Sequence, residues 1–333
     1  MKAAVLETGG TLATREVPPP RLEGGDLLLR VDACGVCGSD LHMIHSLPPG
    51  SIMGHEFTGE VIEVGEGVEK WRSGDRVVAL PFFACWKCEH CASGNGMFCT
   101  GLRGIGLGDL PGAYAELVRV QPESCLRIPV GMDSRLAALT EPLAVGLHGV
   151  RRSRLASGDT CVIFGAGPIG LATLLSARAL GANAIVSDRS AGRREIAARL
   201  GATATVDPRK DDLADAARAL AADGPSVVFE CVGVKGLLQD AMSLAPLHAE
   251  IVVLGVCMGT DEIFPISGIL KELDVRFAIG YTKAEFAEAL SALESGGAAA
   301  AAMITDVVDL DGAPDAFREL LAPSTQCKVL IAP

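Results

Sequence analysis

The chain has 333 residues, 49% of them hydrophobic, and a formal net charge of −12. That length allows two domains, the apolar content excludes wholesale disorder, and the acidic balance argues against nucleic-acid or anionic-membrane partners, which favour basic surfaces. The opening residues lack a signal-peptide pattern and no segment approaches the ~20 uninterrupted apolar residues of a membrane span, so a cytoplasmic protein is expected, its eleven cysteines metal-bound or buried rather than paired.

Apolar alternation predicts strands at 2–6 and 26–33, with a Pro18-Pro19-Pro20 break between them. Next comes Cys37, then Ser39 and His42, with His55 and Glu56 after Gly54. A thiolate, an imidazole and a carboxylate are the ligand types of a catalytic zinc, which keeps one position open for water or substrate. A short helix over 38–46 puts Ser39 and His42 on one face, where they can move a proton. The plainer alternative is one buried thiol and two ordinary histidines. His45 lies one position further round, lining the same cleft or simply solvated.

Strands at 57–63 and 76–80 follow, punctuated by glycine turns. Cys85, Cys88, Cys91 and Cys99 then stand at the spacing of a closed all-cysteine zinc site, structural because no coordination position remains. Free thiols and an iron–sulfur cluster are the alternatives. His90 interrupts the run and reads as surface. The glycine-rich stretch 101–112 lacks the strand and helix that flank a phosphate loop, so it reads as a mobile loop near a cleft. A strand is expected at 114–120, and a helix from Thr140 through His148. On the residues alone Glu141 reads as a helix-start carboxylate and His148 as a core histidine.

From 160 the pattern becomes strand, helix, strand: a parallel sheet with helices on both faces. The strand 160–164 leads into Gly165, Gly167, Pro168, Ile169 and Gly170 and then a helix, with Asp188 after the next strand. This is the context a dinucleotide loop needs. Its glycines let the backbone approach the pyrophosphate at the helix start. Asp188 would accept the ribose hydroxyls and repel a 2′-phosphate, favouring NAD over NADP, although Arg189, Arg193 and Arg194 could hold that phosphate. Later strands are expected at 203–206, 226–230, 250–255, 263–266, 275–281 and 328–331, with helices near 192–200, 213–222, 236–244, 283–293 and 313–321.

The segments GVCGSDLH, GHE, the four-cysteine lobe, EPLAVGLHG and GAGPIG, in that order, resemble the zinc-dependent medium-chain dehydrogenase/reductase superfamily of the zinc alcohol, sorbitol and threonine dehydrogenases. The likeness covers essentially the whole chain. It implies an α/β protein with a GroES-like β-rich catalytic domain (1–147 and 282–333) and a Rossmann doubly wound parallel sheet (148–281), with the active site in the cleft between them. It further implies two zincs per chain. The catalytic one is held by Cys37, His55 and some combination of Glu56, Glu141 and water, and the structural one by Cys85, Cys88, Cys91 and Cys99. Cofactor contacts carried over by the resemblance are Val145, Gly165 to Gly170, Asp188, Arg193, Leu254, Gly255, Val256, Ile279, Gly280 and Tyr281.

The implied reaction is reversible oxidation of an alcohol with hydride transfer to NAD, Ser39 and His42 relaying the proton. Where sorbitol-type members carry an arginine for polyol hydroxyls, this sequence has Gly280. Met43, Ile44, Leu47 and Ile105 are read as apolar pocket walls. An apolar or cyclic secondary alcohol is therefore expected over a polyol, sugar alcohol or amino alcohol, since a polyol would leave hydroxyls unpaired there. The rivals are a zinc-free enoyl or quinone reductase, which normally lacks the Cys37 and Gly54-His55-Glu56 ligands, and a non-catalytic NAD-binding sensor. A homodimer or homotetramer is expected, with strands 263–266 and 275–281 extending the nucleotide sheet across a two-fold axis.

Overall fold

The computed structural model describes residues 1–322 and 325–333. The chain forms two compact units, Met1–Glu141 with Thr282–Pro333, and Pro142–Tyr281.

In the first unit β1 (Lys2–Glu7) and β2 (Thr11–Glu16) form a hairpin. β3 (Leu27–Gly35), α1 (Gly38–Met43), β4 (Glu56–Val64), β5 (Arg76–Ala79) and β6 (Phe82–Phe83) follow. Then come α2 (Glu89–Ala92), β7 (Arg103–Gly104), β8 (Leu117–Val120), β9 (Cys125–Arg127) and α3 (Ser134–Ala137). The helix α4 (Thr140–Arg152) carries the chain into the second unit. After the second unit the chain returns through α10 (Lys283–Ala300), β16 (Ile304–Val308), α11 (Ala313–Leu320) and β17 (Lys328–Ile331).

The seven-stranded sheet runs β16-β17-β3-β4-β5-β9, with β8 also paired to β3. Leu27, Leu29, Val31, Phe57, Val61, Val77, Val329 and Ile331 meet in one core. The last strand of the chain thus lies beside β3 (Leu330↔Gly35, Ile331↔Cys34), which brings the tail against the segment that carries Cys37.

The second unit continues with β10 (Thr160–Phe164), α5 (Pro168–Leu180), β11 (Asn183–Ser187), α6 (Ala191–Arg199), β12 (Ala204–Val206) and α7 (Leu213–Leu220). It ends with β13 (Val227–Glu230), α8 (Leu237–Leu244), β14 (Glu250–Val253), α9 (Pro265–Ile269) and β15 (Asp274–Phe277). The six strands are parallel in the order β12-β11-β10-β13-β14-β15. All of β10 is buried, as expected of a strand covered on both faces. Val162, Ile185, Val228 and Ile251 pack on one face with Ala217 of α7 and Ala241 of α8. Ile163 points to the other, toward the start of α5. Gly170 permits that approach: a Cβ there would lie 1.9 Å from the Gly165 carbonyl oxygen.

Several expectations need correction. Residues 263–266 are not a strand; Pro265, with its fixed φ, opens α9 instead. The strand expected at 275–281 ends at Phe277, and α10 runs on through Gly296 and Gly297 into the alanines that end at Ala300. The strand β16 was not foreseen; it pairs with β17 through a register shift, and its half-buried residues give little alternation. The stretch 101–112 is not a free loop. It contributes β7, ties the Gly104 N–H to the Asp109 carboxylate (2.8 Å), and sets Gly112 N–H on the Ile52 carbonyl (2.8 Å). Ile44 and Ile105, expected as pocket walls, are buried in the core, while Met43 and Leu47 are half-buried.

Candidate active site and metal centres

Cys37 stands where β3 turns into α1, in extended backbone (φ −94°, ψ 152°). Its N–H donates to the Asp40 carboxylate (3.0 Å), the acid three residues into the helix satisfying a donor the helix start leaves open. β4 pairs with β3 in a register that sets Glu56 opposite Gly35, and His55 immediately precedes it. One ligand atom each from Cys37, His55 and Glu56 lies within 4.8 Å of the others. Ser39 Oγ is 3.5 Å from His55 Nε2. Ser39 is half-buried and His42, three residues on in α1, is exposed; that spacing puts both on one helix face, leading from the cluster to water. Glu141 is buried in the first turn of α4 and is not part of the cluster.

Two residues complete this site that the sequence did not single out. Asp40 is buried, accepts the Tyr114 hydroxyl (2.6 Å) and lies 3.2 Å from His55 Nδ1, an ion-pair distance without hydrogen-bond alignment. Its carboxylate orients the ring so that Nε2 faces the cluster, the arrangement that fixes a metal-ligating histidine. Burial opposes charge on His55, but Asp40 and then Cys37 outweigh it, so the ring holds its proton well above the ordinary histidine range. A metal would have to displace that proton. Burial likewise opposes charge on Asp40, and His55, Tyr114 and the Cys37 N–H keep its carboxyl below its usual range.

Lys328 of β17 is the second. Its Nζ donates to both oxygens of Glu56 (2.7 and 2.5 Å) and to the Val36 carbonyl (2.9 Å), and both side chains are fully buried. Burial disfavours the ammonium, yet Glu56 more than offsets this and holds Lys328 charged above the usual lysine range. Gly35 makes the approach possible, because a Cβ there would stand 2.0 Å from Glu56 Oε2. Glu56 is therefore a carboxylate inside the ligand cluster whose charge is already shared with an ammonium. Signals for both residues existed: an acid at capping-box distance from Cys37, and a lysine opening an otherwise apolar strand.

The second cluster is of another kind. Cys85, Cys88, Cys91 and Cys99 all lie between β6 and β7, their sulfurs within 4.8 Å of one another. Cys88 Sγ and Cys85 Sγ lie 3.5 and 4.0 Å from Cys91 Sγ. Zinc–sulfur bonds of about 2.3 Å at tetrahedral angles place sulfurs about 3.8 Å apart, so the set fits one zinc. Backbone N–H groups of Cys85 and Gly101 point at Cys99 Sγ (3.2 and 3.3 Å), and that of Cys88 at Cys85 Sγ (3.3 Å). Such bonds from Lys87 and Cys88 lower the Cys85 thiol to about 6, whereas burial and the neighbouring thiols raise Cys91 to about 12. His90 is exposed, as expected.

In the second unit Gly165 to Gly167 link β10 to α5, whose first turn carries Pro168, Ile169 and Gly170. Asp188 follows β11, and its two carboxylate oxygens accept the N–H groups of Ala166 and Ser190 (both 2.7 Å). It is thereby fixed beside the glycine loop with acceptor capacity remaining on each oxygen. Arg194 is committed elsewhere, to the Asp188 carbonyl (2.7 Å) and the Asp207 carboxylate (3.3 Å), while Arg193 is half-buried. Leu254 is buried and Val256 exposed beyond β14; Val145 is half-buried on α4. Beyond β15, Ile279 is exposed, Gly280 takes a positive φ of 62° and Tyr281 is buried.

Residues 23–130 match the family model of the alcohol dehydrogenase GroES-like domain, and residues 168–295 that of the zinc-binding dehydrogenases. The (R,R)-butanediol dehydrogenase of Bacillus subtilis (strain 168) is 34% identical, with 100% of each chain covered. The sorbitol dehydrogenase of the same organism is 29% identical over 100% of this chain and 97% of its own. Among solved structures, a protein from Sinorhizobium meliloti 1021 described as a zinc-binding dehydrogenase and bound to NADP superposes with a TM-score of 0.87. It is 36% identical, with 100% of this chain and 99% of that one covered.

Proposed function

This chain belongs to the zinc-dependent medium-chain dehydrogenase/reductase superfamily, and within it we propose that it oxidises a small secondary alcohol reversibly to a ketone, with NAD as cofactor. The observation that carries this reading is the cluster of Cys37, His55 and Glu56 within 4.8 Å, with Ser39 Oγ 3.5 Å from the metal-facing nitrogen of His55. Zinc bound there supplies a Lewis acid for the alcohol oxygen, and a nicotinamide supplies the hydride acceptor.

The chain's own residues do the rest. Cys37 and His55 hold the metal, with Glu56 or Glu141 as the neighbouring carboxylate. Asp40 keeps the His55 ring in place, and Lys328 restrains the charge of Glu56 so that the cluster retains its affinity for an alcohol rather than closing on a carboxylate. Ser39 accepts the hydroxyl proton and His42, exposed on the same face of α1, releases it to water. Asp188, fixed by two backbone N–H groups, receives the ribose hydroxyls and disfavours a 2′-phosphate. The four-cysteine lobe holds the second zinc.

The kinship with a butanediol dehydrogenase and Gly280 in place of a polyol-binding arginine support a small, weakly polar alcohol. The whole-chain likeness to a sorbitol dehydrogenase favours a polyol as the second reading. We also read the protein as a cytoplasmic homodimer or homotetramer. All its cysteines are free, and no helix among the described residues is long and apolar enough to cross a membrane. Phe277 on the edge strand β15 is 70% exposed and Leu270, at the end of α9, 73%, apolar surface that a second copy would cover.

The test is NAD and NADP reduction across primary, secondary acyclic, cyclic and polyol alcohols, with sedimentation for assembly. Turnover of secondary or cyclic alcohols with NAD is expected. Turnover confined to polyols would replace the substrate, preference for NADP would replace the cofactor, and a monomer would remove the assembly.

A further inference from the structure

Glu230 is the last residue of β13. The sheet divides beside it: from β10 the order runs through β11 to β12 on one side and from β13 to β15 on the other. Ligands of open parallel sheets bind outside the carboxyl ends of the strands at such a switch point. A carboxylate there is 3% exposed, and a buried carboxylate is costly unless its oxygens are bonded.

Its bonds tie two loops together. Oε1 accepts the N–H groups of Val232 (2.7 Å) and Gly233 (2.9 Å), in the loop after β13. Its main-chain oxygen accepts those of Leu254 (2.8 Å) and Gly255 (2.9 Å), in the loop after β14. The loops meet backbone to backbone: a Cβ on Gly255 would stand 2.1 Å from Gly233 N and 2.5 Å from Glu230 Oε2. The first loop in turn touches the glycine turn, since a Cβ on Gly165 would stand 2.6 Å from Val232 Cγ2. The carboxylate thus fixes the Val232–Gly233 loop, and that loop packs against both the Gly255 backbone and the glycine turn, so the acid sets the middle one of the three chain segments around the switch point.

We propose that Glu230 is a positioning residue for the nicotinamide cofactor, holding the Val232–Gly233 and Leu254–Val256 segments as a shelf against the glycine turn. The proposal rests on the dehydrogenase reading above. Glu230→Leu removes the acceptor; Glu230→Gln keeps an acceptor but loses the charge that makes such bonds about twice as strong. The experiment measures NADH or NADPH affinity by fluorescence, using whichever reduced cofactor binds the parent, beside steady-state kinetics, zinc content and circular dichroism.

The expected result is graded. Cofactor Kd and KM rise ~10-fold in Glu230→Leu and ~3-fold in Glu230→Gln, while kcat at saturating cofactor and the alcohol KM stay within ~2-fold. A folded Glu230→Leu protein with parental cofactor affinity would overturn the proposal, as would a loss of kcat with unchanged cofactor KM. If Glu230→Leu does not fold, Glu230→Gln decides: ~3-fold weaker binding supports the role and unchanged binding overturns it. A parent protein that binds neither reduced cofactor would overturn the dehydrogenase reading itself, a result distinct from a variant that matches its parent.

Discussion

The two ligand clusters of the first unit differ in how they are built. The four cysteines come from one short segment between β6 and β7, and backbone N–H groups of that same segment point at the Cys85 and Cys99 sulfurs. The Cys37, His55 and Glu56 cluster is assembled from α1 and β4, then braced by Tyr114 and by Lys328 near the end of the chain. A set of four identical ligands saturates a metal and needs only local folding. A set of mixed ligands with an open position requires second partners to orient the ring and neutralise the carboxylate, and those come from distant strands. On the function proposed above, the difference is the one between a metal that would hold structure and a metal that would do chemistry.

Substitutions can break this contrast, in decreasing order of expected effect. Cys37→Ser should lower turnover by ~10³-fold or more, since a Lewis acid is worth several kcal/mol to the reaction. Bound zinc should fall by one per chain and cofactor affinity should persist; substantial remaining turnover would show that Cys37 is not a ligand. Lys328→Met leaves Glu56 buried without its counter-charge, a loss of about 3–5 kcal/mol visible in denaturant unfolding. Replacing both partners, Glu56→Gln with Lys328→Met, should recover part of that stability, and a harmless single variant would mean that the pair contributes nothing.

Cys91→Ser should act on the other side of the comparison. It should lower the thermal midpoint by roughly 5–10 °C, while turnover of the molecules still folded stays within ~3-fold. Equal damage to chemistry and stability would erase the distinction between the two centres. The smallest effect belongs to His42→Ala: a rate lower by ~10-fold near pH 7, with the deficit shrinking toward high pH, where hydroxide takes the proton. A deficit independent of pH would remove His42 from the relay.

The sequence made the local features plain. The cysteine spacing, the glycine turn after an all-apolar strand and the acid after β11 each encode their role within a few residues of one another. What it concealed were the long-range partners. Nothing near Glu56 announces that Lys328 will lie against it, because that contact depends on β17 joining β3. Asp40 stands at capping-box distance from Cys37, but its bonds to Tyr114 and its place beside His55 depend on distant segments. The pocket walls also failed for a tertiary reason: Ile44 and Ile105 have the side chains of a binding surface but are spent on the core. At 263–266 the β-branched residues suggested a strand, and Pro265 with the turn it enforces produced a helix.

On the function proposed above, one cluster holds a replaceable catalytic zinc and the other a locked structural zinc. The direct measurement is stepwise chelation of the purified protein, counting released zinc while following turnover and thermal stability on the same samples. The account predicts two zincs per chain: the first to leave takes the activity and little stability, and the second takes the stability. A single zinc per chain, or activity that survives loss of the first ion and disappears only with the fold, would contradict it.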